Sequence, residues 1–210
     1  MARKKEPELI HVNQEKIAAV ARQLFLKKGI AETKIDEIAK TAGMSKSTLY
    51  VYFKSKEEIK NYLSLEAMND LLLRIQAGLE NKKNSLKERY LMICHTFVDY
   101  KEQYPFNFQL LVEEISVDGP VYMMDPYLES IYQTGEAINQ CIIDSLLEKG
   151  EVHQKEELIR TVFTQWGSIY GVIVLADNKE AYIKKELHMT KREFLDKSFE
   201  DLFKVMGGAL

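Results

Sequence analysis

The sequence predicts an all-α fold in two parts, with three short helices at the N-terminus (residues 1–54) followed by a larger helical domain (residues 55–210). Three observations predict it. Apolar residues recur at helical spacing along the chain, and strand-like alternation is absent. The four prolines, together with glycine-containing breaks, partition the chain into segments of helical length. Three helix-start signals then crowd into about 25 residues of the first quarter, which requires short, tightly joined helices there.

Each element has its own justification. From Asn13 to Lys28, Ile17, Ala21, Leu24 and Phe25 share one helical face, and Gly29 supplies the stop. Thr33, with Asp36 three residues on, is expected to cap a second helix carrying Ile35, Ile38, Ala39 and Ala42 and ending at Gly43. Ser45 caps a third through Phe53, and Ser55 with Glu58 forms a capping box for a long fourth helix reaching toward Glu80.

Ser85 with Glu88 caps the next helix, to about Gln103; Pro105 opens another; and Asp118, Gly119 and Pro120 interrupt the chain. Later helices are expected from Pro126 to Lys149 before Gly150, from Glu156 to Ala176, and from a Thr190–Glu193 cap to a stop at Gly207 and Gly208. Residues 177–189 are expected to be partly helical, without assigned boundaries.

Composition narrows the function classes. The chain has 210 residues and a net charge of −3, but residues 1–60 hold 13 Lys+Arg against 8 Asp+Glu, a local charge of +5, and the remainder carries −8. Such an asymmetry suits a duplex partner, because Lys and Arg on phosphates release condensed counterions while the acidic remainder is repelled. Cys94 and Cys141 lack metal or redox spacing and read as buried thiols in a reduced, cytoplasmic protein.

The start, MARKKEPELIHVNQ, has no apolar core, and the longest apolar run, Ile169 to Ala176, is eight residues, so neither a leader nor a membrane partner is expected. His11, His95, His153 and His188 sit in unrelated settings, and no nucleophile elbow, phosphate-binding glycine loop or metal spacing occurs. No catalytic residue, metal ligand or cofactor is predicted.

The stretch from residue 34 to residue 58 carries the chemistry. Ala39 is small enough for a second helix to cross closely, Gly43 permits a sharp turn, and Ile38, Ala42, Met44, Leu49 and Tyr52 supply apolar contacts between the two helices. The face left outside holds Ser45, Lys46, Ser47, Thr48 and Val51, suited to base edges and a thymine methyl. Thr33, Tyr50, Tyr52 and Lys54 suit phosphate contacts. Each residue taken singly is as well explained as a cap, a core tyrosine or a solvated lysine; the glycine turn, hydroxyl-rich face and local charge agree independently.

The pattern T-x-I-x-x-I-A-x-x-A-G followed by S-x-x-T-L-Y-x-Y-F-x-S-K-E-E, from about Ala19 to Tyr62, resembles the N-terminal signature of TetR-type transcriptional repressors. One departure is Ser47, where that family often has glycine. The resemblance implies a helix-turn-helix DNA-binding domain joined to a ligand-binding and dimerisation domain. It implies a homodimer whose last two long helices form an intersubunit four-helix bundle, and a small-molecule effector held by the middle helices.

The residues lend this some support. Apolar side chains surround the helix from Leu158 to Ala176, which must be covered on every side. Phe163, Gly167, Gly171 and Val174 there, with Leu195, Phe199, Leu202, Phe203 and Met206 of the last helix, form the expected dimer interface. Tyr90, Cys94, Phe97, Phe108, Met123, Met124, Tyr127, Trp166 and Tyr170 form the expected effector pocket, or equally a core.

Glu113, Glu114, Asp118 and Asp125 fit either a cationic effector or a solvated acidic loop. The reading is a dimeric, ligand-responsive regulator, most simply a repressor, on a near-palindromic double-stranded operator. The alternative is a DNA-binding protein controlled by a protein partner or acting architecturally.

Overall fold

Helices form along nearly the whole chain where apolar spacing and caps predict them. The computed structural model describes residues 7–81, 83–115, 119–146 and 154–206, and every regular element among them is helical. The expected stops at Gly150, Gly207 and Gly208, together with Asp118 and His153, lie outside the described residues.

The chain forms two compact units, Met1–Asn69 with Tyr104–Thr134, and Asp70–Gln103 with Gly135–Leu210. The first contains α1 (Pro7–Lys28), α2 (Ile35–Thr41), α3 (Lys46–Leu49) and the start of α4 (Lys56–Gly78). The second contains α5 (Leu86–Gln103). The chain then returns to the first unit as α6 (Pro105–Leu110), α7 (Gly119–Met124) and the first turns of α8 (Leu128–Leu146). The rest of the second unit is α9 (Lys155–Asn178), α10 (Glu180–Tyr182), a π-helical stretch Ile183–Leu187 and α11 (Lys191–Met206).

Several boundaries differ from expectation for local reasons. α1 begins at Pro7 rather than Asn13, because proline fits the first turn of a helix, where its missing N–H costs nothing. α3 ends at Leu49, short of Phe53: the Tyr52 N–H donates to the Leu49 carbonyl at 2.8 Å, and the Val51 N–H to that of Thr48 at 3.2 Å, tightening the chain into turns. Residues 177–189 resolve into the end of α9, α10 and the π-helical stretch, closed by His188 at φ 55°.

Two capping boxes form as the spacing predicts. The Ser85 N–H donates to Glu88 Oε2 at 2.7 Å and the Glu88 N–H to Ser85 Oγ at 3.3 Å. Thr190 and Glu193 repeat the pair at 2.8 and 3.2 Å ahead of α11.

In the first unit, Ile17, Ala18, Ala21 and Phe25 of α1 meet Ile38 and Ala39 of α2, Leu49, Phe53, and Ile59 and Leu63 of α4. Phe106 and Leu110 of α6 complete this core, with the Phe106 ring 6.1 Å from that of Phe25.

In the second unit, α5 buries Tyr90, Ile93, Cys94, Phe97 and Val98, α9 buries Ile169, Ile173 and Ala176, and α11 buries Leu195 and Phe199. Two expected dimer residues are thereby corrected. Leu195 and Phe199 are 2% and 0% exposed within a single chain, so no partner can reach them. An amphipathic stripe requires burial but does not say against which surface.

Between α5 and α11, His95 lies edge-on to Phe199 with Nε2 3.5 Å from Asp196 Oδ1. Burial, and next the Arg192 charge, depress its pKa, against the opposing pull of Asp196 and Asp99. A depressed histidine contributes stability that is present above its unfolded pKa of about 6.5 and is lost as pH falls through the folded value. Stability should therefore decline on acidification below about pH 6.5. The decline should be shallower in His95→Gln, as measured by urea midpoints across pH; parallel curves for the two proteins would count against it.

Candidate nucleic-acid interface

The turn after α2 is built on Gly43, at φ 70°. Its N–H donates to the Lys40 carbonyl at 3.1 Å, and the Met44 N–H reaches the Ala39 carbonyl at 3.0 Å. This pair of bonds is the Schellman stop, which requires a left-handed residue at the glycine position. Ser45 follows in extended conformation, and its Oγ accepts the Thr48 N–H at 3.0 Å as the cap of α3.

The hydroxyls of this cap organise one another. Ser45 Oγ lies 2.8 Å from both Ser47 Oγ and Thr48 Oγ1. Below them Leu49 and Phe53 are fully buried, anchoring the element. Outward stand Ser45, Lys46, Ser47, Thr48 and Lys54, with Tyr50 and Val51 at 42% and 65% exposure. Large side chains so exposed next to a rigid cap present a surface rather than fill a core.

Lys46 is not free-standing. Its Nζ lies 2.6 Å from Asp36 Oδ1, and hydrogen bonding to that carboxylate raises its pKa. An open cleft of about 480 Å³ runs beside the pair, lined by Thr33, Lys34, Ile35, Asp36, Lys46, Tyr50, Lys54, Ser55 and Lys56. Lys56 Nζ is held at its rim by the carbonyls of Ile30 and Ala31, at 2.6 and 2.9 Å. Four lysines against one carboxylate make the cleft a natural path for a phosphodiester backbone.

Seven of the nine residues expected to contact DNA share this surface; Thr33 and Tyr52 do not behave as expected. Thr33 is 1% exposed and its Oγ1 donates to the Gly29 carbonyl at 2.8 Å, closing the α1–α2 turn. Lys34, not Thr33, occupies the cap position of α2. Tyr52 is 8% exposed and belongs to the core of the first unit. Of the residues expected at phosphates, Tyr50 and Lys54 are exposed and line the cleft, as does Lys34, which the motif reading passed over. Its signal was a lysine immediately before a helix start.

Ser55 caps α4 by accepting the Glu58 N–H at 3.0 Å. The Glu58 carboxylate reaches back to the Lys54 N–H. Burial raises the Glu58 pKa, with the Lys54 amide opposing.

The expected effector residues are not gathered in one unit. Tyr90, Cys94, Phe97, Trp166 and Tyr170 lie in the second, where the Phe97 and Trp166 rings are 6.1 Å apart and Tyr90 Oη donates to Gln165 Oε1 at 3.1 Å. Burial pushes the Cys94 thiol up to about 12, leaving it protonated and unreactive. Phe108, Met123, Met124 and Tyr127 lie in the first unit. Met123 and Met124 are 86% and 79% exposed. Tyr127 packs against Tyr62, its ring 5.3 Å away. Of the acidic cluster, Asp125 is engaged by the Asn61 side chain and the Tyr127 N–H, both at 2.9 Å.

On α9, Phe163 is 58% exposed, and a Cβ added at Gly167 or Gly171 would meet open space. Val174 is half-buried beside this stripe, as are Leu202 and Phe203 of α11, where Phe203 contacts the Tyr90 ring at 5.4 Å. Met206 ends α11.

Residues 17–63 match the family described as bacterial regulatory proteins, tetR family. An HTH-type transcriptional regulator, YerO of Bacillus subtilis, is 31% identical over 159 residues, 67% of this chain and 53% of its own. The biofilm operon icaADBC HTH-type negative transcriptional regulator IcaR of Staphylococcus aureus is 34% identical over 92 residues, 43% of this chain and 49% of its own. The chain thus spans about half the length of either relative. A tetR-family regulator from Streptomyces coelicolor superposes with a TM-score of 0.63 at 18% identity, covering 95% of this chain and 82% of its own, a likeness of fold. With the glycine turn, the capped recognition element and the matched segment all coinciding at residues 17–63, the chain belongs to the TetR family of bacterial transcriptional regulators.

Proposed function

We propose that this protein is a dimeric, cytoplasmic repressor that binds a near-palindromic operator and is released by a small-molecule effector. The observation that carries DNA binding is the capped hydroxyl cluster of Ser45, Ser47 and Thr48, standing beside an open cleft lined by four lysines. Base readers are Lys46, Ser47, Thr48 and Val51; Lys34, Tyr50 and Lys54 hold phosphates. Residues 1–54 act as the DNA-binding domain and 55–210 as the effector and dimerisation domain.

Dimerisation through α9 and α11 is supported by how little of α9 one chain covers. Its most apolar window of 18 residues has a mean hydropathy of 1.3, enough by length and composition to cross a membrane, yet only 17% of it is buried. A second copy laid along Phe163, Gly167 and Gly171 covers that face, since glycines admit a close approach of backbones. Two recognition elements related by a two-fold axis then read half-sites roughly 34–36 Å apart.

Release works through α4, which runs on from the Ser55 cap and belongs in part to each unit. An effector that prefers one position of α4 shifts the population toward it and changes the separation of the recognition elements.

The test is selection of duplexes from a random pool, followed by footprinting and sedimentation of the complex. A palindromic site bound by two chains is the expected result. A monomer at micromolar concentration, or a selected pool with no common sequence, would overturn the reading. In the same footprint Ser47→Gly should keep binding but change the preferred bases, because it removes one member of the hydroxyl cluster; an unchanged footprint would deny Ser47 a reading role.

A further inference from the structure

The core beneath the recognition turn is partly built by a segment far along the chain. Tyr127, between α7 and α8, sets its ring 6.3 Å from Phe53 and edge-on to Tyr62 at 5.3 Å. Its hydroxyl accepts a hydrogen bond from Gln14 Nε2 of α1 at 2.8 Å, and the same nitrogen lies 3.5 Å from the Tyr52 carbonyl oxygen. Asp125 holds the segment in place, accepting the Tyr127 N–H on Oδ1 and the Asn61 side-chain amide on Oδ2, each at 2.9 Å.

One polar chain therefore runs from α4 through Asp125 and Tyr127 to Gln14 and the last turn of the recognition element. We propose that Tyr127 is a positioning residue for DNA recognition, acting through Gln14 to set the angle at which residues 45–52 are presented. This rests on the DNA-binding reading above. The Tyr127 ring already supplies the apolar contact, and a phenylalanine would fill the same volume, so packing alone leaves the hydroxyl without a task. A hydrogen bond among half-buried groups is directional where packing is not, and it selects one arrangement among several that would bury equal area. The Gln14 amide lies 3.5 Å from the Tyr52 carbonyl, so the side chain that Tyr127 orients bears directly on the turn that presents Tyr50 and Val51.

The test uses the full chain with Tyr127→Phe, Gln14→Met and the double variant. The probes are the duplex selected by the unaltered protein, the same half-sites with one base pair added or removed between them, and an unrelated duplex of equal length. Each single variant should lower the ratio of selected-site to unrelated-duplex affinity by about tenfold and flatten the preference for half-site spacing. The double variant should lose no more than Gln14→Met alone, because that change already removes the bond that Tyr127→Phe removes. Affinity for the unrelated duplex and the thermal midpoint should change little.

A lowered midpoint with an unchanged affinity ratio would show a merely structural contact and overturn the proposal, as would single effects that add. If the unaltered protein selected no duplex, the DNA-binding reading would fall together with this one. Selection by the unaltered protein with indifferent variants would remove this inference alone.

Discussion

Phe53→Ala is expected to cost about 3–5 kcal/mol of stability, the range for truncating a fully buried aromatic side chain. Phe53 has no exposed surface and contacts Tyr62 edge-on at 5.5 Å and Tyr127 at 6.3 Å. It also lies between the recognition turn and the Ser55 cap of α4, so the cavity opens where three elements meet and none can collapse into it alone. The thermal midpoint should fall by roughly 6–20 °C, taking about 2–4 °C per kcal/mol for a chain of this size. Hydrogen exchange should accelerate across residues 35–63. A midpoint within a degree or two of the parent would mean that this core is not what holds the recognition element.

The second large effect is electrostatic. Lys34 and Lys54 line the open cleft beside the recognition element. Exchanging both for glutamine should leave the fold intact, since both side chains are exposed. The slope of log affinity against log salt should become shallower by about 0.9 for each lysine that neutralises a phosphate. Selected and unrelated duplexes should weaken together, because phosphate contacts carry no sequence information.

Asp36→Asn should act in the opposite direction. Asp36 pairs with Lys46 at 2.6 Å, so its removal should raise affinity for any duplex and steepen the salt slope. Titrations at several salt concentrations check both variants. A slope unmoved by the double lysine change would place the phosphate path elsewhere.

Much of this molecule was legible from local sequence. Ser45, Ser55 with Glu58, Ser85 with Glu88, and Thr190 with Glu193 cap helices because a hydroxyl and an amide three residues on meet whenever the chain turns into a helix. Gly43 was legible for the same reason: a left-handed stop followed by a capped helix needs glycine there.

Thr33 shows the limit of such reasoning. A threonine can cap forward or bond back to a carbonyl four residues earlier, and both are compatible with the same local sequence. The Gly29 turn settles it by presenting its carbonyl to Thr33 Oγ1. Tyr50 and Tyr52 are likewise indistinguishable by type; the turn that ends α3 at Leu49 sends one outward and one into the core.

The amino-acid sequence by itself determined the helical class, the turn at Gly43, the caps and the concentration of positive charge in the first sixty residues. All of these depend on neighbours within a few positions or on composition, so the chain specifies them wherever it folds. Only the tertiary structure decided that Leu195 and Phe199 face their own chain, and that Phe106 and Tyr127 join the first unit beneath the recognition element. Those outcomes rest on contacts between distant residues, where many pairings bury similar apolar area and directional bonds such as Gln14 to Tyr127 select among them.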